Sequence, residues 1–305
     1  MLLIPALLAF GLDQYSHKRQ ASQLTSRSVV YVPKPDKVRD NLFFAYCLLI
    51  TFLMVAMLGM AQFGALVKFW PYNLSLTLKH YNFEVAGLGW DSFFNSVRMS
   101  LYAAFFGTIL IFVGSYLIEK MRSDKSLREL LQMVALMPMA IPGIVLGLAY
   151  IFFFNAKGNP LNFFYATMAI LVVNTIVHFY TVSHLSAITA IKKLDDEFES
   201  VSLSLKIPTY KMFFRVTLPV CLPTVFDIFI YLFCNAMTTV SGVIFLYSYD
   251  TTLASVSAIH LDEQGDVAGA AAMAMLIVYI SFVVRGLHTL ISTLLLKRTQ
   301  AWRNI

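Results

Sequence analysis

The chain has 305 residues, of which 58% are hydrophobic and 13% charged, against roughly 25% charged residues in an ordinary soluble domain. That shortfall, with the charges gathered into short blocks between long apolar runs, excludes a soluble globular protein. The formal charge of +6 does not mark a nucleic-acid binder, because the basic residues sit between apolar runs rather than along one amphipathic face.

Residues 1–41 form an N-terminal segment outside the spans. Its start, MLLIPALLAFGL, has no basic n-region and no small-residue cleavage site, and as a helix it would cover only about 18 Å. The stretch 21–40 is polar, carries Pro33 and Pro35, and reads as a linker on the membrane face. Six apolar runs then follow, at 42–67, 93–118, 130–154, 163–182, 222–246 and 267–290. Each is long enough to cross about 30 Å of hydrocarbon. Backbone groups in lipid must be satisfied within the protein, and these runs lack the alternation of barrel strands, so helices are expected. The fold class is therefore an all-α membrane protein with six transmembrane helices. Its membrane domain covers 42–296, and 297–305 is a tail.

Of the 23 lysines and arginines, all but Lys68, Lys79, Arg98 and Lys157 fall in 13–41, 120–128, 192–215 and the stretch after 284. The acidic loop 247–266 has none. Positive charge stays on the cytoplasmic side, which predicts a multi-pass protein with both termini cytoplasmic. Cys47, Cys221 and Cys234 lie in or beside apolar runs, with no C-x-x-C pair, and read as packing residues rather than a disulfide or metal site.

The longest loop on the basic side, LDDEFESVSLSLKIPTYKMFFRVTLP at 194–219, has helical order. Leu194, Phe198, Val201 and Leu205 share one face, and Asp195, Asp196, Glu197 and Glu199 enrich the first turns. Pro208 predicts that this helix ends near Lys206, with a second resuming around Tyr210. The second carries Phe213 and Phe214 and is expected to enter the next span at Leu218–Pro219, so that a push on the turn reaches a membrane helix. A helix lying on the inner leaflet is the plainer alternative. No G-x-x-x-x-G-K-[ST] run occurs, so this chain does not itself cradle ATP in the usual way.

Within the spans, LMPMAIPGIVLGL at 136–148 places Pro138, Pro142, Gly143 and Gly147 where they interrupt helical bonding and allow close backbone approach. The stretch reads either as a bend beside a solute path or as packing. Asp227 is an intramembrane carboxylate near the cytoplasmic end of the fifth span, expected to cap or pair with a residue such as His178 or, as the second reading, to touch solute. Asn235, Thr238, Thr239 and Ser241 form a polar group deeper in that span, of which Thr238 and Thr239 are candidates to line a cavity. Asn174 and His178, one turn apart, lack a third metal ligand at matching spacing and suggest an interhelical hydrogen bond.

The loop also resembles the binding-protein-dependent permease family, whose signature is E-A-A-x(3)-G followed by an apolar residue and L-P. Val216, Leu218 and Pro219 match its close. That register puts Ser200, Val201 and Ser202 at E-A-A, with Glu199 one residue early, and Lys206 at the glycine. The resemblance implies a type I (MetI-like) ABC importer permease fold in the bacterial inner membrane. It also implies a coupling helix around 204–210 (Ser204, Leu205, Lys206, Ile207, Pro208, Thr209, Tyr210) that docks on a cytoplasmic ABC ATPase dimer. The other implied partners are a second permease half, of the same or a related chain, a periplasmic solute-binding protein and membrane lipid, with no nucleic acid. No cofactor is expected on this chain, ATP and Mg belonging to the ATPase.

HFYTVSHLSA at 178–187 and NAMTTVSGVIFLYSYDTTLASVSAIHLDEQGDVAGAAAMAMLIV at 235–278 are similar to 2-aminoethylphosphonate importer permeases, whose relatives carry ferric iron, polyamines or thiamine. Relatives that fuse two permease halves make 1–12 resemble the end of an upstream half; an interfacial helix is the alternative. A secondary transporter would need matched broken helices in two halves of one chain, and only one interrupted span is evident here. An intramembrane enzyme would need a nucleophile with its base, or metal ligands, and no such constellation emerges.

Overall fold

The structure is a computed structural model that describes residues 36–83, 89–120, 125–156, 158–194 and 197–299. The readings of 1–35, of Asp195 and Asp196, and of the end of the tail lie outside the described residues.

The first helix, α1 (Lys37–Leu66), begins before the apolar run because Asp36 caps it, its Oδ1 accepting from the backbone N–H of Val38 at 3.0 Å and of Arg39 at 3.3 Å. A short antiparallel hairpin follows, β1 (Val67–Phe69) with β2 (Asn73–Leu76), which helical periodicity did not announce. Then come α2 (Asp91–Lys120), α3 (Lys125–Ala140), α4 (Gly143–Phe154), α5 (Met168–His178), α6 (Tyr180–Lys192), α7 (Glu197–Ser204) and α8 (Thr209–Val220). The chain closes with α9 (Leu222–Thr238), α10 (Ala254–Glu263) and α11 (Val267–Thr299).

Three helices, α1, α2 and α11, are long and apolar enough to cross a membrane unbroken. Three bent pairs complete a set of up to six: α3 with α4 at 108°, α5 with α6 at 55°, and α8 with α9 at 74°. The expectation of a single interrupted span is thereby corrected. The 163–182 run breaks at Phe179, and the 222–246 run leaves the helix after Thr238. Pro142 explains the first bend, and the α8–α9 bend at Cys221 falls between Pro219 and Pro223, whereas the break at Phe179 and the exit after Thr238 have no proline.

The core is organised by α2. Its buried face carries Ser92, Ser96, Ser100, Ala103, Ala104, Gly107, Thr108 and Ser115, while Leu101, Tyr102, Phe105, Phe106, Ile109 and Leu110 point outward. Lipid tails are as apolar as leucine, so large apolar residues gain little by being inside, and small ones let backbones approach. α9, α6 and α5 close on that small-residue face, α9 most extensively.

Side chains from neighbouring elements satisfy carbonyls at or near the irregular backbone, as its place at membrane depth requires. Asn174 Nδ2 donates to Gly242 O at 2.8 Å, Thr181 Oγ1 to Ala135 O at 2.8 Å, and Ser255 Oγ to Thr239 O at 2.6 Å. Between α2 and α6, Ser115 Oγ lies 2.7 Å from His184 Nδ1. The irregular turn after α9 lies so close to α4 that a Cβ on Gly147 would fall 2.9 Å from Gly242 O. Gly147→Ala is expected to destabilise the bundle by about 1–3 kcal/mol, read as a lower unfolding temperature of purified protein; an unchanged transition would remove this contact from the account.

Candidate coupling surface and translocation path

The segment between α6 and α9 is built as a helix, a turn and a second helix. α7 contains Glu199, Ser200, Val201, Ser202 and Ser204 and stops at Ser204, two residues before the expected end. At Lys206 the chain enters the left-handed region, with φ +53°. Ile207 N–H reaches back to Ser202 O at 2.9 Å and Leu205 N–H to Val201 O at 2.9 Å, so a helix-ending loop that normally selects glycine is closed here over a lysine. This is the position at which the permease signature carries its glycine, and the turn forms without it. Pro208, with φ −66°, starts α8, whose first residues are Thr209 and Tyr210.

The faces of this unit divide sharply. Phe198, Val201, Leu205, Tyr210 and Phe214 are exposed, whereas Met212 and Phe213 are buried. A groove of about 580 Å³ runs between α7 and α8, floored by Phe198, Val201, Ile207, Met212 and Val216 with Lys211 and Arg215 on its rim. Phe213 inserts beside Tyr116 at 4.8 Å and Phe112 at 6.0 Å between ring centroids, both on α2. Residues Phe213–Thr217 take a π-helical path, which widens the helix just ahead of Pro219, whose ring would press on the carbonyl of Arg215 in a regular helix. Leu218 and Pro219 thus belong to the last turn of α8, and the turn into the membrane falls after them, at Cys221, rather than on the Leu-Pro pair.

The path candidates are dispersed more widely. Pro142 forms the α3–α4 elbow, and Gly143 is buried there against Ser241, Gly242 and His178. Asp227 is exposed and lies 3.3 Å from His288 Nε2 on α11, so its neighbour is not the expected His178. Asp227, Tyr231, Asn235 and Thr238 recur at intervals of four, four and three and share one face of α9. Asn235 donates to Tyr231 O and Thr238 to Cys234 O, bonds within their own helix. Thr239 is buried, its carbonyl held by Ser255.

Asn174 makes the interhelical bond expected of it, but His178 Nδ1 and Asn174 Oδ1 are buried with no hydrogen-bond partner among the described residues. A feature missed from sequence is a cavity of about 750 Å³ at the α8–α9 bend, lined by Ser186 and Thr189 of α6, Lys193 just past its end, Met139 of α3 and Thr224 of α9. The three-and-four spacing of Ser186, Thr189 and Lys193 was the signal available for it.

A bundle of bent helices around a small-residue core, with a helix-turn-helix projecting an apolar face beside the bends, is the type I (MetI-like) fold of ABC importer permeases. It superposes with a TM-score of 0.69, at 18% identity, on a chain of the crystal structure of a bacterial ABC transporter involved in the import of the acidic polysaccharide alginate, covering 84% of this chain and 96% of that one. Residues 110–297 match the family of binding-protein-dependent transport system inner membrane components, and the chain belongs to that family.

Among curated relatives it is 26% identical over 291 residues to the ferric transport system permease protein FbpB of Actinobacillus pleuropneumoniae, covering 93% of this chain and 42% of that protein. It is 24% identical over 209 residues to the putative 2-aminoethylphosphonate transport system permease protein PhnV of Salmonella paratyphi A, covering 68% of this chain and 77% of that protein. The chain spans about two-fifths of the length of two ferric relatives that it matches over most of its own.

The left-handed lysine gives a direct test of the turn. A non-glycine residue there is strained by about 1 kcal/mol, so Lys206→Gly is expected to slow amide exchange at Ile207 by about fivefold; equal exchange in both proteins would mean that the lysine is not strained.

Proposed function

We propose that this chain is the permease subunit of an ATP-driven importer and forms half of a translocation path. The reading has a solute arriving from a periplasmic binding protein and energy arriving from a separate cytoplasmic ATPase dimer that docks on α7 and α8. The observation that carries it is the exposed apolar ridge of Phe198, Val201, Leu205 and Tyr210 rooted in the bundle through Phe213. A helix merely lying on the inner leaflet would have no need of that root. With the basic loops cytoplasmic, the ridge faces the compartment that holds ATP. The open face of α9, with Asp227, Asn235 and Thr238, and the cavity at Ser186, Thr189 and Lys193 are the parts of the path this half supplies, with a second permease half opposite.

Introducing charge into the ridge tests the docking. Val201→Asp with Leu205→Asp, in an assembly reconstituted with its ATPase, is expected to lower ATP-driven uptake by about tenfold or more while leaving membrane insertion intact, as removal of central interface contacts does. Uptake at the parent rate would rule the docking out.

For the cargo, the breadth of similarity favours ferric iron, since the ferric relative is matched over 93% of this chain and the aminoethylphosphonate relative over 68%. 2-Aminoethylphosphonate is the second reading, supported by the stretches 178–187 and 235–278. A strain lacking the gene, complemented with this chain, is expected to regain uptake of radioactive ferric iron and not of labelled 2-aminoethylphosphonate. The reverse result would exchange the two readings, and recovery of neither would discard both.

A further inference from the structure

The hairpin 67–76 is an anomaly for a segment bathed in water. A two-stranded sheet on its own is marginal in aqueous solution, and every residue of β2 is exposed. Between Phe69 and Leu78, six large apolar or aromatic side chains stand outside the bundle: Phe69, Trp70, Tyr72, Leu74, Leu76 and Leu78, with relative exposures from 53% for Leu74 to 85% for Tyr72. A contiguous apolar patch of this kind marks an interaction surface.

The position of the hairpin says what covers it. It follows α1 without a linker, and α1 is the spanning helix whose most apolar stretch has no buried residue. Trp70 folds back onto that helix, its ring edge-on to Phe63 at 6.2 Å between centroids. Phe63 lies three residues before the helix end, which at 1.5 Å per residue is about 4.5 Å inside it. The ribbon therefore turns back towards the bilayer rather than out from it, and its apolar surface is continuous with the lipid-facing surface of α1.

Its polar side is arranged to match. Ser75 N–H and Oγ both donate to Asn73 Oδ1, at 3.1 and 2.7 Å, so β2 satisfies two of its own donors. Lys68, Asn73, Thr77, Lys79 and His80, with Phe69 and Phe83 among them, line a groove of about 540 Å³ that is closed by Leu261 of α10 and by Gln264 and Asp266 just after it. Aromatic side chains below exposed lysines are the arrangement that suits acyl chains beneath phosphate headgroups.

We propose that this hairpin is a lipid anchor: a wedge resting in the interfacial region of the leaflet where α1 leaves the bilayer, covered by phospholipid rather than by a soluble protein. The proposal depends on α1 crossing the membrane and is independent of the cargo.

The three tryptophans of the chain are Trp70, Trp90 and Trp302. In the full chain carrying Trp90→Phe and Trp302→Phe, reconstituted in phosphatidylethanolamine–phosphatidylglycerol vesicles, Trp70 is the only indole. Phospholipid brominated on the acyl chain near the headgroup is expected to lower its emission by about half, and iodide in the water to lower it little. Emission untouched by brominated lipid and fully quenched by iodide would overturn the proposal. So would protection from iodide that appears only when a purified periplasmic binding protein is added, which would assign the patch to that protein.

A second measurement leaves both other tryptophans in place. In a chain with Cys47, Cys221 and Cys234 replaced by alanine, Tyr72→Cys and Leu76→Cys are expected to react with a water-soluble maleimide about tenfold more slowly in lipid nanodiscs, open on both faces, than in detergent-denatured chain, and equal rates would refute the anchor.

Discussion

The face of α2 that carries Ser92, Ser96, Ser100, Ala103, Ala104, Gly107 and Ser115 is the constraint on which the remaining packing rests. In lipid, burying leucine against leucine gains little over leaving it among acyl chains, so what selects one arrangement of helices is how closely their backbones can come and which polar groups they can satisfy. The small residues of α2 admit α9 and α6 to close range, and two of the hydroxyls reach partners that lipid would not offer, Ser115 at His184 on α6 and Ser96 at the backbone N–H of Ala254 on α10. The outward face, with Phe105, Phe106 and Leu110, is where a soluble protein would have its core. The molecule is in that sense ordered from its small residues rather than its large ones.

That same seam lets irregular backbone survive in the middle of the bundle. The α3–α4 elbow, the break at Phe179 and the turn after Thr238 expose carbonyls that a straight helix would have paired. Asn174, Thr181 and Ser255 each donate to one of these or to a neighbouring carbonyl. Bent elements held by single side-chain bonds are natural points of movement, because a shift of one bond changes a helix direction without exposing a hydrophobic core. Phe213, lodged between Tyr116 and Phe112, connects the exposed ridge of α7 and α8 to the same α2 against which the bent helices pack.

Hydropathy made the apolar runs legible, and with them the helices, because uninterrupted length is a property of sequence alone. The helix-turn-helix at 197–220 was legible for a different reason: its apolar spacing and Pro208 both act locally, and the end of α7 and the start of α8 fall within about two residues of where those signals put them. The breaks at Phe179 and Thr238 were hidden, since each depends on what a distant residue donates rather than on a local breaker. Asp227 illustrates the same limit. Its charge announced a partner, but whether that partner was His178 or His288 is decided by which helices touch. The left-handed turn at Lys206 was legible only through the glycine of the permease signature, because nothing in the lysine itself asks for φ above zero.

The position of α1 has a consequence for how the protein is made. Among the helices it packs chiefly on α11, which is made much later, and the hydrogen bond from Tyr279 OH to Gln62 Oε1 at 2.5 Å joins residues more than two hundred positions apart in the chain. α1 therefore waits in lipid until α11 has emerged. Its uninterrupted apolar surface is what makes that wait harmless, whereas a polar seam on α1 would have to find a partner before its own partner existed. Bringing α1 and α11 together is a long-range step, and a chain lacking α11 would lose the packing of α1 along with the contacts that α11 makes with α9 and α10.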